Sequence, residues 1–287
     1  MDSVEVFKGI RFPGFMHTQE SLRTACGFQF QDTDVLLVTF PKSGTTWMQQ
    51  VLSLILCKGH LWPIHNVPNW ERAPWLEQNS FVKLLGNLDP SQPRLLTSHL
   101  GAEALGPALL HSKARVVYMA RNPKDVLVSF YYFHKLAKFL PDPSSFEDFV
   151  AEFLEGTGFF GSWFEHVKGW LGLEPDLNML FVTYEELHQA PRATLQKLSD
   201  FLGYPLGPEE EDFVLEHCSF PFMSQSSVVN YSLVPKEVMD PSQGRFLRKG
   251  VMGDWKEHFS PEQNEKFNTV YQAKMGNLGL HLPWTMD

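Results

Sequence analysis

Residues 35–40, VLLVTF, form an apolar run that passes without a break into PKSGTTW at 41–47 and then into an apolar-periodic stretch at 48–56. A short run rich in β-branched residues and lacking alternation reads as a strand buried on both faces, and the stretch after it reads as a helix. The loop between them must turn tightly. Its backbone N–H groups and the helix N-terminus can then face a common point, where an anion is held with the charge of Lys42 added. An ordinary βα turn is the plainer alternative. The loop is not a Walker A motif, because G-x-x-x-x-G-K-[ST] is absent and Lys42 precedes the single Gly44.

Three further apolar runs end in polar residues. Residues 94–97 lead into Ser98 and His99; ARVVYMA at 114–120 stops at Arg121; MLFVT at 179–183 stops at Tyr184. After Arg121, Asn122 as N-cap and Pro123 at N1 predict a helix over about residues 124–138. Buried strands separated by helical segments imply an α/β fold in which a central parallel sheet is flanked by helices, with a P-loop-like strand-loop-helix anion site. Such sheets bind ligands beyond the carboxyl ends of their strands. Lys42, His99, Arg121 and Tyr184 are therefore expected to converge. No repeat or linker interrupts the chain, so residues 1–287 are expected to form one domain. Past Pro221, a polar stretch at 224–241 predicts a long loop before GRFLRKGVMGDW at 244–255, and a last helix is predicted over 261–275.

Charge limits the ligands. With 24 Lys and Arg against 33 Asp and Glu, the net charge is −9, which argues against nucleic acid and anionic membrane as partners. An anionic ligand then requires a local cluster of cations. The 24 Phe and 8 Trp within 287 residues belong to a globular chain with a sizeable core. Cys26, Cys57 and Cys218 show no metal-ligand rhythm and read as reduced thiols. The stretch MDSVEVFKGIRFPGF lacks the apolar region of a secretory signal, and the apolar runs, such as residues 51–57, fall well short of a membrane span. A cytoplasmic location is expected.

PKSGTTW, RNPKDVLVS at 121–129 and RKGVMGDW at 248–255 resemble, in that order, the cofactor signature of the cytosolic sulfotransferases. The similarity extends over nearly the whole chain, including PNWERAPW at 68–75 and GSWFEHVKGW at 161–170, and its wording is closest to the hydroxysteroid-type branch. The resemblance implies 3′-phosphoadenosine 5′-phosphosulfate as donor, 3′-phosphoadenosine 5′-phosphate as product, and no metal. It implies that Lys42, Ser43, Gly44, Thr45 and Thr46 wrap the 5′-phosphosulfate while Trp47 stacks on adenine, a role that suits a flat indole. Phe220 would offer the opposite face, within a segment that also brings Cys218, Ser219 and Met223 to the nucleotide. Arg121, Ser129 and Arg248-Lys249-Gly250 would hold the 3′-phosphate, arginine supplying a planar fork of donors. Tyr184, Phe246 and Leu247 complete the cofactor set.

His99 would be the general base for the acceptor hydroxyl, a task for a group of pKa about 6.5, and Lys42 would stabilise charge on the bridging oxygen as the S–O bond breaks. The matching acceptor pocket is apolar, lined by Phe15, Trp70, Trp75, Phe133, Phe139 and Tyr231 together with His99, for a small-molecule alcohol. Two departures stand out. Gly101 replaces the proline of the family's H-L-P, which puts the shape of the flanking segment in question. His134 stands where the hydroxysteroid branch has tryptophan, which would admit a smaller or more polar acceptor. The family's dimer motif is present with reversed charges, as Glu265, Thr269-Val270 and Lys274, leaving a homodimer possible. Two other functions remain open at this level: a P-loop-type small-molecule kinase, which would need a Walker lysine and a Mg²⁺ site, and a nucleotide-binding module without turnover.

Overall fold

Asp34, at the start of the first buried run, and Arg94, at the start of the second, form a two-pronged ion pair, Nε to Oδ1 at 2.7 Å and Nη2 to Oδ2 at 2.5 Å. Asp34 is fully enclosed, so loss of Arg94 would leave a buried charge unpaired, at a cost of about 3–5 kcal/mol. This pair staples the amino ends of two neighbouring strands, leaving their carboxyl ends free to carry chemistry. The computed structural model describes residues 3–57, 61–89, 91–276, 278–279, 282–284 and 286–287.

A hairpin of β1 (Val4–Phe7) and β2 (Ile10–Pro13) precedes the main sheet, which consists of β3 (Val35–Thr39), β4 (Leu95–Ser98), β5 (Arg115–Ala120) and β6 (Met179–Thr183). These four strands are parallel in the order β4-β3-β5-β6. Leu36, Val38, Val116 and Tyr118 enter one apolar cluster, while Val35, Leu37, Val117 and Met119 enter another. Alternation of this kind shows helices covering both faces of the sheet, so the continuous apolar runs are strands with no solvent side. The chain leaves β3 to one side for β4 and then crosses to its other side for β5. The carboxyl end of β3 is therefore the switch point of the sheet, the place where such folds open a crevice.

The helix Thr45–Leu56 follows β3 after five residues, starting behind Gly44, whose φ of +99° is one that glycine adopts without strain. The helix Pro123–Leu136 begins as expected: the Asn122 side chain accepts from Lys124 N at 2.9 Å, with Pro123 at N1. Its Asp125 carboxylate in turn accepts from Gly253 N at 2.7 Å and Trp255 N at 3.0 Å, fastening the distant 248–255 segment to the sheet end. The polar stretch after the helix Phe220–Gln225 carries no strand and only a short 3₁₀ turn at Pro241–Gln243. It is nonetheless seated, with Lys138 N donating to Val238 O at 2.9 Å and Asp240 N donating to Leu136 O at 2.8 Å.

The last helix, Pro261–Met275, is capped by Ser260 and Gln263. Its Lys274 Nζ donates to Leu154 O at 2.7 Å and lies over the Phe164 ring. Lys274 thus faces its own chain, and pairing with Glu265 of another copy would require these contacts to break. No described helix is long and apolar enough to cross a membrane.

Candidate active site

A cavity of about 710 Å³ opens at the switch point. Lys42, His99, Arg121 and Tyr184, each following a different strand, all border it. So do Gly44, Thr45, Thr46, Trp47 and Ser129, and, from the second half of the chain, Cys218, Ser219, Phe220, Met223, Phe246, Leu247, Arg248, Lys249 and Gly250. Phe15, Trp70, Trp75, Phe133, Phe139 and Tyr231 line it as well. Only Ser43 and His134 among the expected residues do not. Ser43 is enclosed, with its N–H turned back to Phe40 O at 3.3 Å, because the loop needs that inward bond to reverse direction. His134 differs for a helical reason: residues i and i+1 lie about 100° apart around the axis, so when Phe133 faces the cavity His134 faces the core. There it is buried against Phe130 and Phe149, with Nδ1–H donating to Pro141 O at 2.9 Å. It does not border the cavity.

The wall around Lys42 is cationic. Lys42 itself has φ +66°, a left-handed conformation that a non-glycine residue adopts only where the surroundings impose it. Its Nζ lies 4.2 Å from the centre of the Phe133 ring and 4.1 Å from that of Phe246. Burial, then the charges of Arg121 and Arg248, bring its pKa down to about 7. Arg121 donates to Lys42 O at 3.2 Å and Val251 O at 3.1 Å and stacks on the Tyr184 ring, while its Nε is enclosed without a partner. Arg248 and Lys249 share the carboxylate of Asp254 at 2.6 and 2.5 Å, and Arg248 Nε is likewise unpaired. Gly250, with φ +66°, packs so closely on Phe220 that a Cβ there would stand 2.2 Å from the ring. At Gly44 a Cβ would stand 2.8 Å from Tyr184. Trp47 meets Tyr184 edge to face and its Nε1 is enclosed and unpaired.

The opposite wall is aromatic and centres on His99. Its Nδ1 lies 2.7 Å from Thr39 O. A carbonyl can only accept, so Nδ1 carries the proton and Nε2 keeps the lone pair. Burial is the main reason its pKa falls to about 3, despite the opposing bond to Thr39; the ring is neutral at physiological pH. Three supports hold it. Trp75 packs at 4.4 Å between ring centres; His99 N donates to Glu77 Oε1 at 2.8 Å; His99 O accepts from His166 Nε2 at 3.2 Å. His166 must therefore accept from the Tyr118 hydroxyl through Nδ1, at 3.0 Å. Thr39 Oγ1 and Thr45 Oγ1 join at 2.7 Å, tying the base to the anion loop. Gly101, the N-cap of the helix Ala102–Leu109, has φ −70°, the value proline would impose. The backbone there follows a path open to either residue.

Thr39, Glu77, Phe160 and His166 belong to this site and were not expected from sequence. Only the position of Thr39 at the end of its strand could have flagged it.

The family model described as "Sulfotransferase domain" matches residues 32–279. Sulfotransferase 2B1 of Mus musculus is 44% identical over 279 residues, covering 97% of this chain and 82% of that protein. The 3-beta-hydroxysteroid sulfotransferase of Cavia porcellus is 42% identical over 286 residues, covering 99% and 98%. Among solved structures, mouse sulfotransferase SULT7A1 complexed with PAP matches with a TM-score of 0.79 at 27% identity, covering 96% of this chain and 94% of that one.

Proposed function

The chain belongs to the sulfotransferase family, and from that premise we propose that it moves a sulfuryl group from 3′-phosphoadenosine 5′-phosphosulfate to the hydroxyl of a small apolar acceptor of the steroid-alcohol class. One observation carries the mechanism: His99 is held in the tautomer whose Nε2 is a free acceptor, in the same cavity as the Lys42 ammonium. The relatives named for hydroxysteroids and the aromatic lining support the acceptor class.

The residues present fit the nucleotide. Unpaired enclosed donors on Arg121 and Arg248, a Lys42 whose pKa those two charges help to lower, and two glycines where a Cβ would collide all suit a bound polyanion. When bound, the donor supplies an activated sulfuryl group. Lys42 to Trp47 would hold its 5′-phosphosulfate end. Trp47 and Phe220 would provide flat faces for adenine, and Arg121, Ser129 and Arg248-Lys249-Gly250 would take the 3′-phosphate.

His99 Nε2 then accepts the proton of the acceptor hydroxyl. Thr39 O holds the ring against rotation through Nδ1–H, and Trp75 fixes its plane. Lys42, protonated once an anion is present, stabilises negative charge developing on the leaving oxygen. The aromatic wall excludes water and favours a flat apolar frame.

Incubation with sulfur-labelled donor and a panel of 3-hydroxysteroids, phenols and amines tests the reading. Label is expected on the steroid hydroxyls. Nucleotide binding with no labelled product from any acceptor would instead establish a binding module without turnover.

A further inference from the structure

Three glutamines are buried among the described residues, and two of them have their amides fully engaged. Gln49 Nε2 donates to Ala73 O and Thr97 Oγ1, and its Oε1 accepts from Asn69. Gln50 Oε1 accepts from Arg72 and its Nε2 donates to His217 O. Gln78 is different. It is 6% exposed and borders the cavity, yet its side-chain amide makes no hydrogen bond to any described residue and is not sealed off from the cavity.

The backbone carrying this amide is fixed from three sides. Glu77 Oε1 accepts from His99 N at 2.8 Å and Glu77 O accepts from Ser21 Oγ at 2.8 Å; on the other side Asn79 N donates to Met16 O at 2.9 Å. The Gln78 backbone therefore stands at a set place relative to the base. The cavity lining beside it includes Phe15, Met16, Trp75 and Phe81, together with the polar Asn79 and Ser80 that follow it in the chain. A buried amide facing such a surface lowers the free energy of a complex when a ligand atom pairs with it, and penalises a ligand that offers none.

We infer that Gln78 determines acceptor specificity, and that the preferred acceptor is an apolar alcohol carrying a second oxygen function, a ketone or hydroxyl remote from the hydroxyl that is sulfonated. A carboxamide both donates and accepts, so either oxygen function satisfies it. The inference rests on the sulfuryl transfer proposed above. It also moves the polar feature of the pocket from His134, which faces the core, to a residue with no place in the family motifs.

The test compares two hydroxysteroids that differ only in a ketone on the far ring. The wild type should use the ketone-bearing acceptor with a kcat/KM about tenfold higher. Gln78→Leu should bring that ratio near one by losing the ketone-bearing acceptor and gaining the other, with donor affinity unchanged. Gln78→Met repeats the comparison if the leucine variant fails to fold. An equal ratio in wild type, or an undiminished ratio in the folded variants, overturns the inference while leaving sulfuryl transfer intact. Absence of product from both steroids in a wild type that binds nucleotide overturns the transfer reading and this inference with it.

Discussion

The two walls of the cavity are built by different means. The nucleotide wall comes from the strand-end loop at Lys42, the helix start at Arg121 and the 248–255 segment tied down by Asp125. Its order comes from backbone geometry and charge: left-handed φ at Lys42, Gly44 and Gly250, and arginines set close enough to lower the pKa of Lys42. The acceptor wall comes from side chains on scattered segments, Phe15, Trp70, Trp75, Phe139 and Tyr231, held by ring packing. A backbone cradle tolerates few residues at each position, whereas ring packing accepts many. Donor recognition should therefore be rigid and acceptor recognition adjustable, with Lys42 and His99 where the walls meet.

Substitutions confined to one wall test this division. Arg248→Ala should weaken 3′-phosphorylated nucleotide by about 10–100-fold, the value of a charge-assisted bond, and hardly change binding of an analogue lacking the 3′-phosphate. Equal losses in a binding titration would remove Arg248 from the 3′-phosphate site. On the other wall, Phe15→Ala removes a ring stacked on Phe139 and should raise acceptor KM about 3–10-fold with donor KM unchanged.

The seam between the walls has a proton signature. With its pKa at about 7, Lys42 is mostly neutral at pH 8 in the free protein, and an arriving anion raises that pKa. Nucleotide binding should then take up protons at pH 8, seen as a binding enthalpy that changes with buffer ionisation enthalpy; Lys42→Met should abolish the dependence. Donor affinity should also fall as pH rises above 7. The smallest functional effect belongs to His134→Phe, which loses a buried hydrogen bond and about 1 kcal/mol of stability but should leave acceptor selectivity unchanged. A changed selectivity would return His134 to the pocket.

Much of the nucleotide wall was legible because its parts are contiguous. The runs before Lys42 and Arg121 are buried on both faces and the edge run before Tyr184 is partly buried; all three are continuous apolar runs and read as strands, with observed bounds within a residue or two of those expected. The cations appear directly after them. The hairpin of β1 and β2 was less visible, since each strand is only four residues long and β1 turns its valines outward. The acceptor wall resisted for a related reason. Glu77 and Gln78 lie between motifs, and their placement comes from fold-level contacts, Glu77 with His99 and Asn79 with Met16, that no local pattern encodes. His134 was assigned to the pocket by the resemblance alone, which carries no information on how its helix is turned; the ring packs against Phe130 and Phe149.

The most direct test of the chemistry is a single-turnover label transfer with His99→Ala, alongside its affinity for 3′-phosphoadenosine 5′-phosphate. If His99 Nε2 takes the acceptor proton, transfer should slow by about 10²–10⁴-fold while nucleotide affinity stays at the wild-type value. Transfer at the wild-type rate would contradict the assignment of His99 as the base.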